Sequence, residues 1–382
     1  MKRVLIIAHM GQMIAQFNHR NIDILLNMDV EVHIAANFTS PLNTMSEVAL
    51  HDFTNVMKKK GVHVHQIDFS RGAGSISSNI NVWRQLNRLM NDYQFDLIHC
   101  QSPLGGVFGR LVGRKHGVPV IYTAHGFHFY KGGPIKNWLI FYPIERMLSK
   151  FTDCIITINH DDDRIASSFH AKHHLYLPGV GVDVRRLNKV QHNTSLRSKY
   201  GIPQNAFVIV SCGELSERKN QQVIIRALAS LNSSDIYYII VGKGRLEKHL
   251  RLLVKENGLE KQVIFAGYHS DPTPFYAMAD IAAFPSKREG LGLAGIEEMA
   301  TGLPLLTTNI GGISDYSIDG LTGLVFDSDD YMGFASAIDC LKNDREKLLR
   351  ISQFNRTQVN KFSQETVDTI MTHEYHRALN LV

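Results

Sequence analysis

The 382-residue chain has only four cysteines, Cys100, Cys154, Cys212 and Cys340, far apart and without a C-x-x-C pair. That spacing argues against a disulfide-stapled scaffold or a cysteine metal site. It leaves reduced, buried thiols, three of them in or beside apolar strand-like runs. No apolar run approaches the roughly 20 residues a membrane span needs. Met1-Lys2-Arg3 followed by the apolar residues 4–8 has the order of an export signal. The apolar stretch is short, however, and His9, Gln12 and Gln16 follow without a small-residue cleavage site. Residues 4–8 are therefore read as a first buried strand, and a cytoplasmic location is expected. A G-x-G-x-x-G is also missing. Leu104-Gly105-Gly106-Val107-Phe108-Gly109 and Gly242-Lys243-Gly244 are Gly-rich turns without that spacing or a ribose-binding acid at the right distance. This argues against a dehydrogenase. There is no basic-aromatic motif, so nucleic acid is not an expected partner.

What is present fits a globular protein with 44% apolar and 20% charged residues, long enough for two domains. Strand-like runs at 4–8, 30–35, 62–67, 97–100, 118–123 and 154–158 alternate with helix-period segments such as 76–91 and 104–116. Continuous Val/Ile runs, rather than alternating ones, predict parallel strands covered on both faces, hence α/β units in a doubly wound sheet. The pattern breaks at Pro178-Gly179-Val180-Gly181-Val182-Asp183 and the polar stretch up to Gly201-Ile202-Pro203. A second series follows, at 208–212, 237–241, 263–265, 281–284, 305–307 and 324–326. Two Rossmann-like domains are predicted, 1–182 and 183–364, facing each other across a cleft. Ligands are expected beyond the carboxyl ends of the strands.

The net charge of +5 is uneven. Residues 1–188 hold 20 Lys and Arg against 14 Asp and Glu, and the remainder 21 against 22. A basic first domain suggests an anionic partner, with a membrane surface preferred. Candidate contacts are Lys58, Lys59, Lys60, Arg110, Arg114 and Lys115.

The most specific feature is Glu289-Gly290-Leu291-Gly292-Leu293-Ala294-Gly295-Ile296-Glu297, which follows the run 281–284 and Pro285-Ser286. The glycines would let the backbone approach a ligand. A helix starting near Leu293 would turn free N–H groups and its positive end toward a diphosphate. The sequence continues through Glu298-Met299-Ala300-Thr301-Gly302-Leu303-Pro304, Asn309-Ile310-Gly311-Gly312-Ile313-Ser314-Asp315 and Asp319-Gly320-Leu321-Thr322-Gly323-Leu324. This whole run resembles the C-terminal domain of glycosyltransferase family 4.

Gly213-Glu214-Leu215-Ser216-Glu217-Arg218-Lys219-Asn220 agrees with the same family, whose counterpart supplies an arginine and a lysine to the donor diphosphate. Lys219 matches the lysine. Glu214 stands at the usual arginine position, and Arg218 is the candidate replacement. Tyr122-Thr123-Ala124-His125-Gly126-Phe127-His128 matches the family at His125, which there faces the donor sugar. Gly11, after the first strand, matches a neighbour of the donor phosphates. In the family a C-terminal helix crosses back to the first domain; residues 365–382 would do so here.

The resemblance implies the GT-B fold and a retaining transferase without metal or other cofactor. Its donor would be a nucleotide sugar, UDP-sugar being preferred, and its acceptor a lipid-linked sugar or saccharide. Overall likeness is greatest to bacterial capsule and exopolysaccharide transferases. His125 and Glu289 would orient the donor sugar. Arg218, Lys219, Gly290, Leu291, Gly292 and Leu293 would hold the diphosphate, and Glu297 the ribose. Attack would be front-side, with a donor phosphate taking the acceptor proton. The alternatives are a UDP-sugar epimerase of the same fold and a two-lobed sugar-binding protein without catalysis. Asp161-Asp162-Asp163 formally contains the D-x-D of the other main glycosyltransferase fold, but acids belong in the first turn of a helix, which is the reading adopted. His170, His173 and His174 are read as surface residues.

Overall fold

The computed structural model describes residues 1–381 except 42, 44, 71 and 73. The chain divides into two compact units, Met1–Val180 with Glu365–Val382, and Gly181–Gln364. Each is a doubly wound α/β domain.

The first unit has seven parallel strands, β1 (Arg3–Met10), β2 (Glu31–Asn37), β3 (His63–Gln66), β4 (Leu97–Gln101), β5 (Val120–Ala124), β6 (Cys154–Thr157) and β7 (His173–Tyr176), in the order β3-β2-β1-β4-β5-β6-β7. The second has six, β8 (Phe207–Cys212), β9 (Ile236–Val241), β10 (Val263–Gly267), β11 (Ile281–Phe284), β12 (Leu305–Thr308) and β13 (Gly323–Phe326), in the order β10-β9-β8-β11-β12-β13. The uninterrupted apolar runs have their expected cause. Along β1, Val4, Ile6 and Ala8 enter one core and Leu5 and Ile7 the core on the other face, so no position is left for a polar residue.

Helix Pro103–His116 lies on the first sheet through its glycines. A Cβ on Gly109 would sit 2.6 Å from Cys100 Cβ, and one on Gly113 would sit 2.3 Å from Val120. The Gly-rich start of this segment is thus a helix–sheet contact. The C-terminal helix Gln364–Leu379 sets Val367, Met371, Tyr375 and Leu379, one turn apart, into the core of the first unit. Tyr375 also bonds His99 Nδ1 of β4 at 2.7 Å. Val382, the end of the expected helix, lies outside the described residues.

Two expectations need correction. The boundary lies after Val180. Val182 bridges Ser363, and Gly181 has φ of 83° with its Cβ position 2.8 Å from Gln364 Cα, so both belong with the second unit. Strand β7 went unrecognised because its exposed His173 and His174 give no apolar signal. The helix after β6, His160–Ala166, holds Asp161, Asp162 and Asp163 in its first turn, as expected. Of the thiols, Cys100 and Cys154 are buried, Cys212 is partly buried, and Cys340 is exposed on helix Tyr331–Asn343.

Burial shapes the response to acid. Desolvation pushes His99 down to about 3, and His125, just past β5, down to about 4. Unfolded imidazoles titrate near 6.5, so the unfolded chain takes up protons first as pH falls. This stability is complete above about pH 6.5 and is lost progressively toward pH 4. The melting temperature should therefore drop by on the order of 10 °C between pH 7 and pH 5. A melting curve that stays flat over that range contradicts the buried, neutral state of these histidines.

Candidate active site

In the second sheet the strand order reverses between β8 and β11. Chain segments leaving the carboxyl ends of two such strands diverge and open a crevice, the general ligand position in open α/β sheets. Residues 213–220 leave β8 and residues 285–292 leave β11, so the two sequence motifs meet at this point. They are stitched together by the backbone. Lys287 N–H donates to Arg218 O at 2.7 Å, and Arg218 Nη1 lies 3.4 Å from Arg288 O. Asn220, in the left-handed conformation with φ of 55°, spans the crevice floor and donates to Pro285 O and Ser328 O at 3.2 and 2.7 Å.

Two cations converge on one carboxylate there. Arg218 Nη1 is 2.7 Å and Lys219 Nζ 2.8 Å from Glu289 Oε1. These are ion pairs rather than directed hydrogen bonds. The Lys219 ammonium also lies 4.2 Å from the centre of the Phe284 ring, a favourable cation–π position. Glu289 is buried, Lys219 is nearly so, and Arg218 is half exposed. Glu214, at the family's arginine position, is exposed and only 3.9 Å from Arg218. Arg218 therefore supplies the second positive charge at this crevice.

The loop between Glu289 and helix Leu293–Ala300 is braced from behind. Gly292, with φ of 88°, precedes the helix; a Cβ there would sit 2.7 Å from the Phe284 ring. One on Gly295 would sit 2.4 Å from the Tyr316 hydroxyl, and one on Gly312 would sit 2.0 Å from Gly290 O. Gly292 and Gly295 are thus required by packing against buried aromatics, a constraint that stands beside the expected approach of a ligand. Glu297 accepts from the Tyr276 hydroxyl at 3.3 Å, and burial raises its pKa. Next to it Glu298 is completely buried, with no hydrogen-bond partner for either carboxyl oxygen among the described residues. Desolvation raises its pKa well above the usual carboxylate range.

In the first unit His125 follows β5. Its Nε2 donates to Gln101 Oε1 at 2.6 Å, and the Gln101 amide donates in turn to Asn18 Oδ1. This chain fixes the tautomer and leaves Nδ1 as the acceptor nitrogen. His125, His9, Ser102, His128, Phe141 and Glu145 line a cavity of about 220 Å³ at the carboxyl ends of β1, β4 and β5. Gly11 is buried as the first residue of helix Gly11–Phe17. A Cβ there would sit 2.5 Å from the Phe38 ring, so packing alone accounts for this glycine.

Family models match both units: glycosyl transferases group 1 over residues 192–358, and glycosyl transferase 4-like over residues 10–159. EpsD of Bacillus subtilis (strain 168), which carries a glycosyltransferase name, is 34% identical over 346 residues, covering 88% of this chain and 86% of its own. The chain belongs to the group 1 glycosyltransferases. A further relative is UDP-Gal:alpha-D-GlcNAc-diphosphoundecaprenol alpha-1,3-galactosyltransferase of Escherichia coli, 26% identical over 80% of this chain and 83% of its own. Among solved structures, Anabaena Alr3699/HepE in complex with UDP and glucose superposes with a TM-score of 0.78 at 19% identity, over 99% of this chain and all of that one. The fold is GT-B, and the enzyme is a glycosyltransferase that uses a nucleotide sugar.

Within this glycosyltransferase the sequence-derived residues fall into two groups. Arg218, Lys219, Glu289, Gly290, Leu291, Gly292, Leu293 and Glu297 lie together in the second unit, on the loops after β8 and β11 and the helix that follows. His125 and Gly11 lie in the first. Asp161, Asp162 and Asp163 form the first turn of a helix capped by Asn159; the buried Asp162 carboxylate accepts from Phe127 N–H at 3.1 Å and so holds the loop after His125. Among the described residues two groups have metal-ligand spacing, Glu31/His33/His63 and Cys154/His173/Glu374, both in the first unit. Gln101, Asn18 and Glu298 were not singled out from the sequence. The first two act across 24 and 83 residues, a separation that leaves no local signal.

Proposed function

We propose that this enzyme transfers a sugar from a UDP-sugar, with retention of anomeric configuration, to a lipid-linked or saccharide acceptor in capsule or exopolysaccharide synthesis. Its place would be the cytoplasm, at the inner face of the cell membrane. The observation that carries the reading is the convergence of Arg218 and Lys219 on Glu289 at the reversal point of the second sheet. A donor diphosphate entering there replaces one carboxylate with a group of higher negative charge, and both cations can follow it without rebuilding the loops. The choice of UDP rests on relatives, one crystallised with UDP and one named for a UDP-Gal donor and a diphosphoundecaprenol substrate. Family membership favours transfer over the epimerase and the non-catalytic alternatives.

In this reading Arg218, Lys219 and the amides around Leu291–Leu293 neutralise the leaving diphosphate, and Glu297 holds the ribose. Glu289, released from its two cations, orients the donor sugar together with His125. The aspartates after β6 bond within their own unit, Asp161 to Arg164, Asp162 to the Phe127 amide and Asp163 to the Thr157 hydroxyl, and in this reading the cations carry the leaving-group charge without a metal. The anionic membrane belongs to the same proposal, through the exposed Lys58, Lys59, Lys60, Arg114 and Lys115. Arg110, expected among these contacts, is fully buried against Glu145 and is withdrawn.

Glu297→Gln should mainly raise the donor KM, by about 2–13-fold, because it weakens a hydrogen bond made equally in ground and transition states. Glu289→Gln should lower kcat more than it weakens binding, because the value of its charge grows as the diphosphate departs. Donor-dependent kinetics with melting controls distinguish the two. A Glu289→Gln effect confined to KM, with kcat lost in Glu297→Gln, reverses these roles. Transfer should also survive excess EDTA; loss with EDTA and recovery with manganese rules out metal-free departure of the diphosphate.

A further inference from the structure

Helix Ile135–Leu148 carries large apolar residues on both its inner and its outer side, although only the inner side is covered. Trp138, Phe141, Tyr142, Glu145 and Leu148 face the domain. Ile135, Leu139, Ile140, Ile144 and Met147 face outward and are between 38% and 77% exposed. At about 100° per residue these five occupy one half of the helix surface, shared there with the exposed Pro143, Lys136 and Arg146. A globular helix normally turns mostly polar and charged residues to water on that side, so an exposed half with five large apolar residues and only two cations marks an interaction site.

The charges beside it select the partner. Lys131, Lys136, Arg146 and Lys150 are exposed within and around the helix, and the one acid of residues 131–150, Glu145, is turned inward. Glu145 pairs with the buried Arg110 at 2.7 Å and accepts from the Tyr122 hydroxyl at 3.3 Å, which fastens the helix to the domain with its apolar face outward. A second copy is a poor partner. Two-fold packing of this face on itself would bring the Lys136 and Arg146 cations of both copies into one apolar contact, with no acid to neutralise them. A surface that is apolar at depth and anionic above suits the pattern, because Lys and Arg extend their heads outward while their stems and the apolar side chains sink.

We propose that helix Ile135–Leu148 is a membrane-docking helix that inserts Ile135, Leu139, Ile140, Ile144 and Met147 into the interface of an anionic phospholipid surface. Phe141 and Glu145, on its inner side, line the cavity that also holds His125. Docking through the outer side would therefore hold that cavity at headgroup depth, where a lipid-linked acceptor presents its sugar; this last step rests on the acceptor proposed above. The docking itself does not.

The test is co-sedimentation of the full-length protein with phosphatidylcholine vesicles, with and without a share of phosphatidylglycerol, at low and high salt. The wild type should bind the anionic vesicles and keep measurable binding in high salt, because apolar insertion is not screened. Leu139→Asp with Ile140→Asp should weaken binding by at least about tenfold at unchanged melting temperature. Lys58→Glu with Lys59→Glu should have a smaller effect. Unchanged binding in the aspartate variant, or binding lost wholly with salt or with the lysine changes, overturns the proposal. So does a wild type that sediments as a dimer and becomes monomeric in the aspartate variant while vesicle binding stays the same. UDP-induced thermal stabilisation, read on the same samples, should be alike in wild type and variant. Its absence in the wild type counts against the UDP donor and leaves the vesicle result standing.

Discussion

Two cations share one carboxylate oxygen at the point where the second sheet reverses, and the surrounding backbone is arranged to keep them there. Adjacent positive charges on Arg218 and Lys219 repel, and enclosure beside Phe284 strips Lys219 of water; Glu289 offsets both. The arrangement needs Glu289 to stay put. Its loop is pressed from behind by Gly312 and stacked on Phe284 and Tyr316 through Gly292. In the proposed reading both cations are thus in place before a ligand arrives, and little reorganisation of the loops is needed when charge develops on a leaving group. Burial raises the pKa of the neighbouring Glu298, which disfavours a competing negative charge there.

The first unit follows the same economy with uncharged groups. His125 is held neutral by enclosure and in one tautomer by Gln101, which Asn18 holds in turn. Asp162 fixes the adjoining loop through the Phe127 amide. The residues that touch the cavity are therefore set by side chains from β4, from the end of helix Gly11–Phe17 and from the helix after β6. The groups that line this cavity rest on a buried polar scaffold whose bonds join residues distant in sequence.

What was legible in the sequence follows from which physical constraints act locally. Strands buried on both faces are largely apolar, so β1, β8 and β11 were readable from their runs, and β4 from Leu97, Ile98 and Cys100 although it also buries His99 and Gln101. Edge strand β7 carries His173 and His174 toward solvent and was invisible. The E-x7-E segment was readable because loop, helix start and both acids lie within nine residues. Its glycines were harder to interpret, since Phe284 and Tyr316, which demand Gly292 and Gly295, fold back from before and after it. Arg110 shows the opposite failure. A basic residue reads as solvent-facing, and only the fold reveals Glu145 and the Tyr122 ring waiting for it. The apolar outer side of helix Ile135–Leu148 was likewise hidden, because apolar residues in sequence read as core whether or not anything covers them.

The substitution of Glu214 for the family's arginine is where sequence and structure bear most directly on each other. The sequence left Arg218 as a candidate; the geometry sets it beside Lys219 on Glu289 while Glu214 points outward. The central claim is that Arg218 and Lys219 form the diphosphate site. The most direct measurement is the UDP dissociation constant of Arg218→Gln and Glu214→Gln against wild type. Removing the guanidinium charge of Arg218 from the diphosphate should weaken UDP binding by about 10–100-fold, with Glu214→Gln within about threefold of wild type. Unchanged UDP affinity in Arg218→Gln, or loss of binding in Glu214→Gln alone, would contradict the account.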